Sequence, residues 1–379
     1  MNFKNLSLIC LASILTFSAL YAPQPLLPIL SKQFDASASI AGLIVTFTLI
    51  PLSFSPFFYG IILETVSARK VILVAVFLLG ASEVLLGLSA SFSQILFIRL
   101  FQGFLIPAIL TSLMTYVSKV SGSEIIQKSM SIYIASTIIG GFSGRAVSGV
   151  ISYVFNWRIS FIFLGVCLLC IIYFIRFLEK DVTFNAARPD FKNLLVVLKD
   201  RKFVIVYAAI FLSFFCFAAI LNYLPDHLSK INEKSNELKT GLAYSGYLMG
   251  VFVSLYSSRL ITKYGYKNVF LLGSAIYIVS ILFFQIDSVS LIYINMFAFC
   301  AGMFMLHSAG SGFVNKNVDK NKGVVNGLYV SFYYFGGILG SYLPGLIYEN
   351  QGWKIFLFFL SAISVSIFLL FTIGFKKAF

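Results

Sequence analysis

The chain has 379 residues, 59% of them hydrophobic and only 11% charged, with a mean hydropathy of +0.93, a composition that excludes an ordinary water-soluble core. Its formal charge of +14 does not mark a nucleic-acid binder, because the basic residues sort by side of a series of apolar runs. The five cysteines all fall inside apolar segments, and Cys167-x-x-Cys170 lacks the second pair that a zinc site needs, so they read as small hydrophobes.

Crossing about 30 Å of hydrocarbon takes about 20 apolar residues. Twelve such runs are expected, near 6–29, 40–62, 71–89, 94–117, 129–152, 159–178, 203–224, 241–260, 269–286, 290–313, 324–348 and 355–374. The first reads as a retained helix, since it lacks a small-residue cleavage site. It ends in YAPQPLLP, where Pro23, Pro25 and Pro28 remove backbone donors around Gln24 and free carbonyls that a polar cavity or a neighbouring helix must satisfy. That stretch is either a kinked gate or simply the end of the helix.

The connection after the second span, GIILETVSARK, holds Gly60, Glu64 and Arg69. The third span carries Glu83, eight residues before Ser91, and the fourth carries Arg99, eight residues after it. At a rise of ~1.5 Å per residue both lie ~12 Å along adjacent antiparallel helices. Three readings of Glu83 stand: an ion pair with Arg99, a proton carrier, or a side chain reaching the outer interface. Gln102, one helical turn from Arg99, is placed to share its polar pocket.

The fifth span contains GGFSGRAVSGV, with Arg145 among Gly140, Gly144 and Gly149. A guanidinium facing lipid costs about 2.5 to 17 kcal/mol according to the scale used, so Arg99 and Arg145 are expected to face the protein interior. The polar segment at 179–202 reads as a connector at the cytoplasmic surface. Beyond it, the loop SRLITKYGYKN contains Lys263 and Gly265, the tenth span holds His307, and the eleventh crowds Tyr329, Phe332, Tyr333, Tyr334 and Phe335 together. Most of these rings are expected against lipid; a subset that includes Tyr333 is the candidate for lining a cavity, which would favour amphipathic or aromatic substrates. His307 and His227 are either hydrogen-bonded structural groups or titrating ones, and two isolated histidines make no metal site.

The chain is written twice. Tyr133, Gly140, Gly144, Gly149 and Trp157 recur 196 residues later as Tyr329, Gly336, Gly340, Gly345 and Trp353. Small residues four apart let helix backbones approach closely, whether for static packing alone or for packing that also permits sliding. Twenty of the twenty-eight lysines and arginines fall in segments on one side of the runs, six on the other, and Arg99 and Arg145 lie within spans. This bias places both termini in the cytoplasm. The expected architecture is all-α and membrane-embedded, with twelve helices in two pseudo-symmetric bundles of six at 1–178 and 203–379.

Four patterns carry a resemblance to the major facilitator superfamily over nearly the whole chain. GIILETVSARK is similar to that family's loop Gly-x-Leu-x-Asp-x-x-Gly-Arg-Lys, with Glu64 and Ser67 as departures. Arg99-x-x-Gln102-Gly103 resembles its Arg-x-x-Gln-Gly signature. Gly140-x-x-x-Gly144-Arg145-x-x-Ser148-Gly149 resembles the Gly-x-x-x-Gly-Pro-x-x-Gly-Gly pattern of proton-driven exporters, with Arg145 in place of proline. GGFSGR with NWRISF, MLHSAGS and LYVSFYYFGG look closest to bacterial drug or sugar efflux permeases.

The resemblance implies a secondary transporter of the bacterial inner membrane that works by alternating access, without enzymatic activity or a cofactor, and as a monomer. Its partners would be a small-molecule substrate, protons and the lipid bilayer, with no nucleic acid. Proton-coupled efflux of a drug-like, sugar or amphipathic metabolite is the leading reading; the alternative is uptake by symport or uncoupled facilitation, because the first span lacks the acidic residue many proton-coupled exporters carry. Arg99, Gln102, Arg145, Glu83, Gln24 and Tyr333 are the substrate and coupling candidates. Gly60, Glu64, Arg69, Lys263 and Gly265 would form a cytoplasmic gate.

Overall fold

The computed structural model describes residues 3–120, 126–178, 197–232, 235–317 and 322–374. Every regular element among them is helical. In chain order these are α1 (Phe3–Tyr21), a 3-10 turn (Gln24–Leu26), α2 (Leu27–Gln33), α3 (Ala38–Thr65), α4 (Ala68–Leu88), α5 (Phe92–Val120), α6 (Ile126–Val154) and α7 (Trp157–Ile175). Then come α8 (Arg201–Ile231), α9 (Glu237–Ala243), a 3-10 turn (Tyr244–Leu248), α10 (Met249–Phe283), α11 (Val289–Lys316), α12 (Lys322–Leu369) and a π-type turn (Leu370–Gly374). Helices suit this composition because hydrocarbon offers backbone N–H and C=O groups no partner except each other.

Among the described residues ten continuous segments are long and apolar enough to cross a membrane, and two of them are double. In α10 the chain turns at Gly265 (φ 76°) and in α12 at Gly352 (φ 79°). Both angles lie in the left-handed region that a side chain disfavours, so a single glycine ends one span and starts the next. Counting those turns recovers twelve spans. Three helix starts are capped by side chains: Lys70 N donates to Ser67, Ile159 N to Asn156 (3.1 Å) and Lys202 N to Asp200 (3.0 Å).

The described residues form two compact units. The first comprises residues 3–36, 47–178 and 236–242; the second comprises 37–46, 197–235 and 243–374. The start of α3 thus packs within the second unit and most of α9 within the first, so the division departs from a single break at the connector. Residues 179–196 of that connector lie outside the described residues.

In the first unit α1 packs on α6, and α4 packs on α5 and α7. Gly144 sits directly on the Ser18 backbone, and Gly140 on Ile14 and Phe17. In the second unit α8 packs on α12 and α10 on α11. There Gly340 sits on the backbone of Phe215 and Gly336 on that of Phe211. The glycine repeat therefore marks one seam made twice, each time against the first helix of its unit, at a separation that a Cβ would not permit.

Candidate functional site

The site of the first unit grows from the interruption in α1. Pro23 has no N–H, so Ala19 O loses the donor that a continuous helix would supply, and the chain tightens into a turn with Leu26 N donating to Pro23 O (2.9 Å). Arg99, reaching across from α5, takes up the freed acceptors. Its Nη1 donates to Ala19 O (3.0 Å) and its Nη2 to Leu20 O (2.8 Å). Nη1 also donates to Gln102 Oε1 (2.8 Å).

Gln102 passes the connection on. Its Nε2 donates to Glu83 Oε1 (3.1 Å) and to Ser82 Oγ (3.2 Å) on α4. Glu83 and Arg99 therefore do not form the direct ion pair that their matched depth suggested; an amide stands between them. Glu83 Oε2 is buried and has no hydrogen-bond partner among the described residues. Arg99, Gln102 and Glu83 all have zero exposure. Charge-assisted hydrogen bonds contribute about 1.5–3 kcal/mol each, so the three made by Arg99 are of the same order as the lower estimates for placing an arginine in a membrane.

Arg145 approaches the same interruption from α6. Its Nε donates to Gln24 Oε1 (2.6 Å), its Nη1 to Gly141 O (2.5 Å), and its guanidinium carbon lies 4.2 Å over the Tyr21 ring. One turn on, Ser148 Oγ donates to Ala22 O (2.8 Å). Five of the sequence candidates, Glu83, Arg99, Gln102, Arg145 and Gln24, thus converge on residues 19–24. Both guanidinium groups are fully buried and engaged by the protein itself. Ser148, Ser82 and Tyr21 complete the cluster and were missed; Ser148 was legible as a hydroxyl one turn from Arg145.

The gate candidates do not gather in this way. Arg69 Nη2 donates to Arg176 O, capping the C-terminal end of α7. Lys263 is exposed, with Nζ 5.0 Å over the Tyr264 ring, and Gly265 is the turn inside α10. The surroundings of Gly60 and the side chain of Glu64 lie outside the described residues, so their part in the expected gate does too. Of the remaining glycines, Gly149 rests on the carbonyl of Glu237 within the first unit and Gly345 on the ring of Tyr223 within the second.

Tyr333 belongs to a different setting in the second unit. Phe214 stacks on it with ring centroids 3.8 Å apart, and His307 lies 4.9 Å away. A polar cluster of which the sequence marked only His227 occupies one end of that unit. Tyr348 donates to Asp226 Oδ2 (2.6 Å), Lys230 pairs with Asp226 (2.7 Å), and His227 meets Asp287 (3.1 Å) while stacking on Trp353 (4.2 Å). Ser39 donates through N (2.6 Å) and Oγ (2.9 Å) to the Glu349 carboxylate. Among the described residues no group of three or more His, Cys, Asp and Glu is placed to hold a metal ion.

Duplicated helical bundles of membrane-spanning length, with buried arginines engaged by the protein itself, define a polytopic membrane protein. The sequence profile of the Major Facilitator Superfamily matches residues 9–256 and 233–377, and the chain belongs to that superfamily. It is similar to the inner membrane transport protein YnfM of Escherichia coli (strain K12), 28% identical over 348 residues that cover 90% of this chain and 84% of that protein. It is also similar to the uncharacterized MFS-type transporter YybF of Bacillus subtilis (strain 168), 27% identical over 346 residues, 89% and 85% of the two chains. Among solved structures, the nucleoside transporter NupG matches with a TM-score of 0.81 at 18% identity over 99% of this chain and all of that one. A bacterial homolog of the human lysosomal transporter Spinster, inward-facing and occupied, matches with a TM-score of 0.78 at 13% identity, covering 99% and 96%. At these identities the structural matches establish the fold.

Proposed function

We propose that this transporter is a proton-coupled exporter of a drug-like, sugar or other amphipathic small molecule, working as a monomer by alternating access in the bacterial inner membrane with both termini cytoplasmic. One observation carries the coupling: a buried carboxylate with one unpartnered oxygen, Glu83, is joined through Gln102 and Arg99 to the free carbonyls of α1. Adding a proton to that carboxylate weakens its claim on the Gln102 amide, which loosens the hold of Gln102 on Arg99 and of Arg99 on the interruption in α1. Protonation and helix geometry thereby share one chain of hydrogen bonds. The export direction is supported by the glycine pattern around Arg145, and the inner-membrane location by the similarity to the inner membrane transport protein YnfM and the positive-inside bias.

Gln24 favours the second reading. The first helix presents an amide, not a carboxylate, to Arg145, so a carrier without proton exchange, or one that imports by symport, is the rival. Inverted membrane vesicles with an acidified lumen and a pH-reporting dye separate the two. Challenged with a panel of drugs, dyes, sugars and organic acids, wild type is expected to release lumenal protons on addition of a substrate and Glu83→Gln to lose that signal. Accumulation of substrate in whole expressing cells, with silent vesicles, would overturn export by exchange.

A further inference from the structure

His307 and Tyr333 have a role that the ionic cluster of the first unit does not account for. Tyr329 Oη lies 2.9 Å from His307 O and 3.1 Å from His307 Nδ1. A tyrosine hydroxyl has one proton, and a carbonyl only accepts. Both short contacts are favourable in one arrangement: the hydroxyl donates to the carbonyl and Nδ1–H donates to the hydroxyl oxygen. The neutral imidazole then carries its lone pair on Nε2. That atom has no hydrogen-bond partner among the described residues, and the side chain is partly exposed.

The surroundings are aromatic. The Tyr333 ring stands 4.9 Å from the imidazole at 50°, Phe214 covers one face of Tyr333 at 3.8 Å and 16°, and Tyr334 meets Tyr333 edge-on at 5.0 Å. Phe214 is buried, whereas Tyr333 and Tyr334 are partly exposed. All of these residues belong to the second unit. An oriented acceptor nitrogen beside a rigid, half-open aromatic ring is the pairing that recognises a flat ring bearing one donor.

We infer that His307, Tyr329, Tyr333 and Phe214 form a binding station for a planar aromatic molecule carrying an O–H or N–H donor, the ring packing against Tyr333 and the donor reaching His307 Nε2. This rests on the reading of the protein as a small-molecule exporter and narrows its substrates to one chemical class.

The test uses the full-length protein in lipid nanodiscs and two fluorescent probes, β-naphthol and its methyl ether, which share a ring and differ in one donor. Empty nanodiscs of the same lipid correct for partition. Saturable binding to the protein is expected, with β-naphthol about two- to tenfold tighter than the ether, the net effect of one hydrogen bond. His307→Asn keeps a donor for Tyr329 but removes Nε2, and is expected to erase that difference. Tyr333→Leu is expected to weaken both probes by about two- to tenfold, the contribution of one aromatic pair, and Tyr333→Phe to leave both within about twofold. Absence of saturable binding, equal affinity of wild type for the two probes, or indifference to Tyr333→Leu would overturn the station. Proton exchange in vesicles without probe binding sinks the station alone; probe binding as described without proton exchange sinks the coupling alone.

Discussion

At positions 196 residues apart the first unit carries Arg145 and the second carries Ser341. The backbone at both places does the same thing. The Arg145 carbonyl lies where a Cβ on Gly241 would meet it at 2.7 Å, and the Ser341 carbonyl lies 2.5 Å from the Cβ position of Gly42. The side chains around them diverge. Next to Arg145, three prolines end α1 and its freed carbonyls are held by the Arg99 guanidinium and the Ser148 hydroxyl; next to Ser341, α8 runs through Pro225 as one helix of 31 residues, and the Ser341 carbonyl itself accepts from the Tyr223 hydroxyl at 2.8 Å. Duplication preserved the seams, and the interior chemistry then followed the proline content of each first helix: ionic where acceptors were freed, aromatic where none needed a charge.

If that account is right, the largest damage comes from removing the group that serves most acceptors. Arg99→Met leaves the Ala19 and Leu20 carbonyls and Gln102 Oε1 without their donor and takes away the positive charge nearest to buried Glu83, and should lower stability by about 3–5 kcal/mol, read as thermal unfolding in detergent. Adding Glu83→Gln to that variant removes the buried charge and should restore part of the loss; strict additivity would show that the two residues are not linked. Arg145→Ser, which gives the first unit the residue the second has, should cost about 2–3 kcal/mol because Gln24 Oε1 loses its charged donor. A neutral outcome would mean that the difference between the units is decorative.

Two matched pairs sharpen the comparison from the other side. Gly144→Ala and Gly340→Ala each push a methyl into the backbone of the facing helix, and each should cost about 1–3 kcal/mol in the same assay. Similar values would show that the seams are energetically as well as geometrically repeated. Tyr133 donates to Leu110 O (3.0 Å) much as Tyr329 donates to His307 O (2.9 Å). Tyr133→Phe and Tyr329→Phe should therefore each cost about 0.5–1.5 kcal/mol, the smallest effects of the series.

Much of this was legible in the sequence. Twelve spans followed from run length alone, and the 196-residue offset announced the glycine seams. The breaks at 261–268 and 349–354 were legible as polar loops between spans; that each comes down to a turn at one glycine, Gly265 or Gly352, was not, because composition does not report φ. Arg99, Gln102 and Glu83 were identifiable as intramembrane polar groups at one depth, yet the order in which they bond was not. Depth along a helix says nothing about azimuth, and it is azimuth that interposes the Gln102 amide between two opposite charges. The partners of both arginines on α1 were foreseeable only as a need, since prolines announce free carbonyls without naming what will fill them. The links from Tyr348 to Asp226 and from Ser39 to Glu349 join residues far apart in the chain, at positions where exposed loops and buried ends look alike in composition.

The interruption in α1 also bears on how tightly the membrane is sealed. A broken helix in a bilayer usually admits water to its loose carbonyls, and a file of water molecules conducts protons by passing them from one to the next. At residues 19–22 those carbonyls are occupied by Arg99 and Ser148. A guanidinium donates hydrogen bonds and does not give up its proton in proteins, so it closes the acceptors without offering a relay.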